Sequence, residues 1–247
     1  MDYKLILLLS AFRLEEKALE KALKIAVKKK VPVKDKIEVR SSGVGLKKCR
    51  GMLENYLKHH MPDLVLITGI AGAVHPELRT GDVVFPEKVC LVDISGKLSR
   101  SIEVPRYLLH GFNERLKRCT RVHKIPILAA VLRTYHTEDK DVLRNMDPDI
   151  HAVDMESYSL VDVLTKKKIP FIFFRVISDP YNMKFPKDAF IDALFRSKGK
   201  KKILIFWRHP VLSFRLIMII PAMLKSLRVL KKCAFGFISS AVKPEAE

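Results

Sequence analysis

Residues 151–180 read HAVDMESYSLVDVLTKKKIPFIFFRVISDP, and their pattern sets the fold class. A short apolar run ends at Met155, a helical pattern follows from about 156 to 168, and the β-rich run PFIFFRVIS closes at Asp179 and Pro180. If the two strands are parallel, their carboxyl ends lie on one edge of the sheet, and Glu156 and Asp179 open onto one crevice. Open α/β sheets bind their ligands at that edge.

The same alternation extends in both directions. Upstream, KLILLLS predicts a first strand and LEEKALEKALKIAVKK a helix in which Leu19, Ala22, Leu23 and Ala26 share a face. The segment KIEVRSSGVG, a helix from about 46 to 59 and the strand DLVLITG follow. Further on, DVVFPEKVCLVDISGKLSRSIEV predicts strands joined by a hairpin around Ser95 and Gly96, and PRYLLHGFNERLKRC a helix opened by Pro105. IPILAAVLRT predicts a buried strand, and TEDKDVLRNM a short helix with Thr137 as N-cap. Strands alternating with helices mean an α/β fold with a mainly parallel sheet.

The 247 residues, 48% of them hydrophobic, suffice for one α/β domain with an appendage. The apolar start of MDYKLILLLSAFRLEE is too short and too soon followed by Glu15 and Glu16 for a secretion signal, so it reads as a buried strand. Cys49, Cys90, Cys119 and Cys233 lack paired spacing, so neither a disulfide framework nor a zinc site is indicated, which favours a reducing, cytoplasmic compartment. The formal charge is +19, yet residues 196–247 hold twelve Lys/Arg against Glu245 and Glu247, so 12 − 2 = +10 of it lies in the tail. No aromatic-interleaved basic strand or helix-turn-helix pattern accompanies this charge, which leaves nucleic acid a poorly supported partner.

Residues 69–82, GIAGAVHPELRTGD, interrupt the alternation with glycines at 69, 72 and 81 immediately after a buried strand. Glycine permits close backbone approach to a ligand and lets amides point outward as a nest. Tyr135 and His136 fall at another strand's carboxyl end, where loop residues and cleft residues look alike. No Ser-His-Asp order, HExxH, Walker loop or GxGxxG fingerprint is present, so nucleophilic hydrolysis, metalloprotease, NTPase and dinucleotide chemistry lack support. What remains is a Gly-rich turn with separate acids at strand ends. Such acids suit cleavage of a glycosidic bond, one assisting the leaving group and another the incoming water. They equally serve as helix caps, since Glu156 starts a helix and Asp179 precedes a proline.

The combination of ITGIAGAVHPELRTGDVVFPEKV (67–89) with AVDMESYSLVDVLTKKKIPFIFFRVISD (152–179) resembles the nucleoside phosphorylase superfamily, in particular its 5'-methylthioadenosine/S-adenosylhomocysteine nucleosidase branch. The resemblance implies a three-layer α/β/α sandwich over residues 1–195, a homodimer, and cleavage of a 5'-substituted adenosine to release adenine without metal or organic cofactor. It places Met155 and Glu156 at the ribose and Asp179 at the purine N7 as general acid, with Ser178 beside it. Gly69, Ile70, Ala71 and Gly72 would face the ribose and nucleophile. An N-terminal glutamate would position the attacking water; Glu16 is the better match and Glu15 its competitor. Ile67 and Ile70 stand where related phosphorylases hold phosphate with Arg and Ser, which favours water as nucleophile; Arg79 nearby is the cation that could restore a phosphate site. The alternatives are phosphorolysis on the same fold, or a non-catalytic membrane-surface or nucleic-acid-binding protein that retains it.

Residues 196–247 form a basic extension outside this pattern. From Met223, the residues Leu227, Leu230, Ala234 and Phe237 follow helical spacing, with Lys225, Arg228 and Lys232 toward another side. Arg208, His209 and Arg215 break the apolar stretch below the ~20 residues of a membrane span. The helix therefore either packs on the domain or lies on a membrane surface, where Phe206, Trp207 and the lysines at 200–202 would assist. The tail's layout, a glycine-lysine turn, an Arg-His-Pro element and a long helix, is similar to the hopanoid-associated phosphorylases. That likeness implies a lipid-linked adenosine such as adenosylhopane, and contact with the inner face of a membrane.

Overall fold

Ile6, Leu7, Leu8 and Leu9 have no exposed surface, as a strand covered on both faces requires. They form β1 (Ile6–Ser10), bonded in parallel to β2 (Ile37–Ser41) and β3 (Leu64–Ile67). The computed structural model describes residues 3–33, 37–93, 96–105, 112–132, 137–183, 207 and 210–242. Tyr135, His136, Ser95, Phe206, Arg208, His209 and the lysines at 200–202 lie outside these.

Two long strands cross the middle of the molecule, each with one break. β3 gives way to β4 (Ile70–Ala73) through Thr68 and Gly69, and β9 (Phe171–Phe173) to β10 (Arg175–Asp179) through Phe174. The amide of Phe174 donates to the carbonyl of Ile67 and that of Val176 to Gly69, so the pairing survives both breaks. It joins the order β2-β1-β3-β9 to the order β10-β4-β8-β7-β5-β6. The added strands are β5 (Val83–Val92), β6 (Leu98–Glu103), β7 (Val122–Ala130) and β8 (Ile150–Asp154). Six of the nine pairings described are parallel, which makes the sheet mixed and mainly parallel as expected.

The opening stretch requires one correction. PFIFFRVIS is two strands, and β10 does not run parallel to β8. β4 lies between them, parallel to β10 and antiparallel to β8. The glycine-bearing turn after β4 reverses the chain, so β5 returns antiparallel to β10, and β7 and β8 follow the direction of β5. The two acids meet for another reason: Asp179 pairs with Gly72, and Gly72 pairs with Val153, three residues before Glu156.

Helices cover both faces. α2 (Leu46–Tyr56) and α5 (Ser157–Lys166) contribute Cys49, Leu53, Leu160 and Leu164 to one core. α1 (Arg13–Lys28) and the last helix, α6 (Pro210–Ala241), contribute Leu19, Ala22, Ala26, Leu230, Ala234 and Phe237 to the other, together with α3 (Phe112–Lys117). α4 (Thr137–Met146) lies against β8. The result is the three-layer α/β/α sandwich. α6 starts well before Met223 and continues through Pro221, and its buried Ser226 hydroxyl donates to the Ile177 carbonyl of β10 at 2.7 Å. Among the described residues no helix is long and apolar enough to cross a membrane.

Candidate active site

A cavity of about 610 Å³ opens beside the start of β4 and the ends of β8 and β10, a volume suited to a small organic ligand. Glu15 of α1, Asp154 and Glu156 at the end of β8, and Ser178 and Asp179 of β10 line it, with Ile70, Ala71, Gly72 and Met155. Ile219 and Met223 of α6 close one side. No Lys or Arg is among these lining residues.

Glu15 is 1% exposed because it occupies the buried stripe of α1 that continues through Ala18, Leu19, Ala22 and Ala26. Its Oε1 accepts the Ile70 amide at 2.7 Å; its Oε2 accepts the amides of Ala11 at 2.7 Å and Phe12 at 3.2 Å. Burial raises its pKa above 4.5, against the pull of Arg175 and those amides. Gly69 permits the approach, since a Cβ there would lie 2.7 Å from Glu15 Oε1. Gly69 thus shapes the wall from behind, while its neighbour Ile70 faces the cavity.

Glu16, the expected water-positioning residue, points elsewhere. One residue along a helix turns the side chain by about 100°, and Glu16 is half-buried beside β2, accepting the Ser41 hydroxyl at 3.3 Å. It is not among the cavity's lining residues. The stripe that selects Glu15 is legible in the sequence: Glu15 stands four and seven residues before Leu19 and Ala22.

Glu156 is 6% exposed, and its Oε1 accepts the Gly45 amide at 2.8 Å, at the positive end of α2. Burial, then the neighbouring Asp154, push its pKa up to about 7. Asp154 is pinned by Arg175, whose Nε donates to Oδ2 at 2.7 Å and whose Nη2 donates to the Ser157 hydroxyl at 3.0 Å. The same hydroxyl bonds Asp154, whose Oδ1 accepts the Ser157 amide at the start of α5. Burial opposes the charge of Arg175, but Asp154, Glu15 and Glu156 outweigh it and raise its pKa. Arg175 Nη1 is buried without a partner among the described residues and lies on the Gly69 side, as Glu15 does. Sequence reasoning missed Arg175 and Asp154, although an arginine inside the apolar run FIFFRVIS demands a buried acid.

Asp179 is 9% exposed. Its Oδ1 accepts the Ser178 hydroxyl at 2.8 Å, and its Oδ2 accepts Lys140 Nζ from α4 at 2.7 Å. Gly72 has no side chain where a Cβ would come within 2.6 Å of Asp179 Oδ2. The structure therefore brings together Glu156, Met155, Ser178, Asp179 and the turn at residues 69–72, and replaces Glu16 by Glu15 on the cavity wall. Arg79 is exposed and does not line the cavity, and Ile67 is fully buried in β3. Among the described residues no group of three or more His, Cys, Asp and Glu is arranged to hold a metal ion.

A cavity at the strand ends of an α/β/α sandwich, walled by three separately held carboxylates besides Asp154, defines a small-molecule site on a doubly covered sheet. The family model described as the phosphorylase superfamily matches residues 31–200, and the chain belongs to that family. It is 30% identical over 136 residues to the 5'-methylthioadenosine/S-adenosylhomocysteine nucleosidase of Geobacillus kaustophilus, a match spanning 50% of this chain and 58% of that relative's length. The fold is similar to a mutant of the Helicobacter pylori MTAN solved with 5'-methylthioadenosine in the active site: TM-score 0.60, 19% identity, covering 94% of this chain and 98% of that one. It is also similar to a futalosine hydrolase mutant from the same organism: TM-score 0.56, 21% identity, 71% and 90% covered.

Proposed function

We propose that the protein cleaves the N-glycosidic bond of a purine nucleoside by hydrolysis, releasing adenine from a 5'-substituted adenosine such as 5'-methylthioadenosine or S-adenosylhomocysteine. The observation that carries this reading is the convergence of Glu15, Glu156 and Asp179 on one cavity with no Lys or Arg among its lining residues. Among the described lining residues a phosphate dianion would meet carboxylates and no cation, so water suits this wall better than phosphate. Glu15 holds the attacking water, and the charge of Arg175, buried behind the wall, favours its carboxylate form against the effect of burial. Glu156 accepts the ribose hydroxyls, with Met155 and Ile70 against the sugar. Asp179 protonates the purine as the C–N bond breaks, and Ser178 orients it. Charge develops on the sugar as an oxocarbenium ion, which the carboxylates stabilise.

A second reading concerns the 5' substituent. Ile219 and Met223 line the cavity, while Ile220 and Leu224 on the same helix are 44% and 43% exposed. A long apolar substituent, as in a lipid-linked adenosine, would leave the cavity along α6. A homodimer, implied by the family resemblance, would complete the walls of that end. Incubation of the full chain with methylthioadenosine, adenosylhomocysteine and a lipid-linked adenosine tests both readings. Adenine release abolished by Asp179→Asn is expected; equal release by that variant would overturn the assignment of the acid.

A further inference from the structure

Lys140 is 1% exposed and, after Arg175, the largest side chain buried this completely. A buried lysine requires a purpose, because its ammonium loses hydration that one ion pair only partly replaces. Its partner is the one carboxylate that the proposed reaction needs in protonated form. Both oxygens of Asp179 are acceptors here, Oδ2 from Lys140 Nζ at 2.7 Å and Oδ1 from the Ser178 hydroxyl at 2.8 Å. Asp179 faces the cavity, whereas Lys140 is not among its lining residues and stands behind the carboxylate.

We propose that Lys140 is the proton source for Asp179, an inference that rests on the hydrolase reading above. As the bond from the ribose carbon to the purine breaks, its electron pair goes to the purine. The Lys140 ammonium gives one proton to Oδ2 of the Asp179 carboxylate, the resulting carboxyl passes it to a ring nitrogen of the purine, and Asp179 is left again as a carboxylate. Lys140 is left as a neutral amine and regains a proton from water when the product leaves. α4 carries a second tether to the end of β10, a hydrogen bond from the Tyr181 hydroxyl to Asp141. Glu138, Asp139, Asp141 and Arg144 are the other charged residues in the sequence of its helix. Across the cavity stand Glu15, Asp154 and Glu156, with Arg175 behind them. Burial pushes the Glu156 pKa up to about 7 and raises that of Glu15, so the relay is read from the difference between variant and wild-type profiles.

The experiment is the pH profile of adenine release from 5'-methylthioadenosine by the wild type, Lys140→Met, Lys140→Arg and Tyr181→Phe. Relative to the wild type, Lys140→Met should lose rate progressively as pH rises, because Asp179 without its proton source must be reprotonated from solvent. Lys140→Arg keeps the charge but holds its proton throughout, so kcat should fall by about 100-fold or more at every pH with little change in KM. Tyr181→Phe loosens α4 and should keep the wild-type profile. Rescue by arginine of whatever methionine loses would assign Lys140 to holding the carboxylate by charge alone and overturn the relay. If Lys140→Met fails to fold, the arginine variant decides alone. No adenine from the wild type under any condition would overturn the hydrolase reading and the relay with it; release by the wild type matched by Lys140→Arg overturns the relay only.

Discussion

At the scale of residues, adjacent glutamates have opposite fates. Glu15 is buried and held by three amides at the cavity, and Glu16 faces β2. Glu15→Gln should therefore lower kcat by about 100-fold or more, the usual loss on removing a general base, with Glu16→Gln within a few-fold of wild type. Reversed effects in steady-state kinetics would contradict the placement. Glu156 carries a linked prediction in stability. Its folded pKa of about 7 lies above the ordinary 4.5, with burial the first cause. Between those values the native state binds more protons than the unfolded one, so its contribution favours the fold at low pH and is lost as pH rises toward 7. Glu156→Gln should leave the melting temperature near wild type at pH 4 and raise it at pH 8, a stabilisation on the order of 3 kcal/mol. An equal change at both values would contradict the raised pKa.

At the scale of elements, the alternation of strands and helices is legible because period-2 and period-3.6 patterns survive in single segments. The class and the mainly parallel sheet follow from it, and the three layers from the family resemblance. The direction of β10 against β8 is not legible, because it depends on a reversal after β4 that no local pattern in 151–180 records. Glu156 and Asp179 stand out in the sequence for a geometry that the sheet does not have, and they reach one cavity through Gly72 instead. Motif matching favours Glu16; the periodicity of α1 selects Glu15. Lys140 has no signal, since a lysine in TEDKDVLRNM looks like any solvated helical charge. α6 reads from sequence with two outcomes, packed or membrane-facing, and the helix is two-sided. Leu230, Phe237 and Ile238 are fully buried, so Leu230→Ala should cost about 3 kcal/mol in urea unfolding. A loss under about 1 kcal/mol would mean that α6 docks only loosely.

At the scale of the whole molecule, charge and cavity meet on α6. The chain carries +19, and Lys225, Arg228 and Lys232 are exposed on the helix that presents Ile220 and Leu224 beside the cavity. Co-sedimentation with anionic vesicles should occur at low salt and fade as salt shortens the Debye length, and Leu224→Glu should weaken it. Protein that stays in the supernatant at low salt would remove the membrane surface from the account.

Hydrolysis at the carboxylate-walled cavity is checked by product analysis of 5'-methylthioadenosine turnover with and without phosphate. Adenine together with the free 5-thiomethyl sugar, at a rate independent of phosphate, is the predicted result. A sugar 1-phosphate formed only in the presence of phosphate, or no adenine at all, would contradict it.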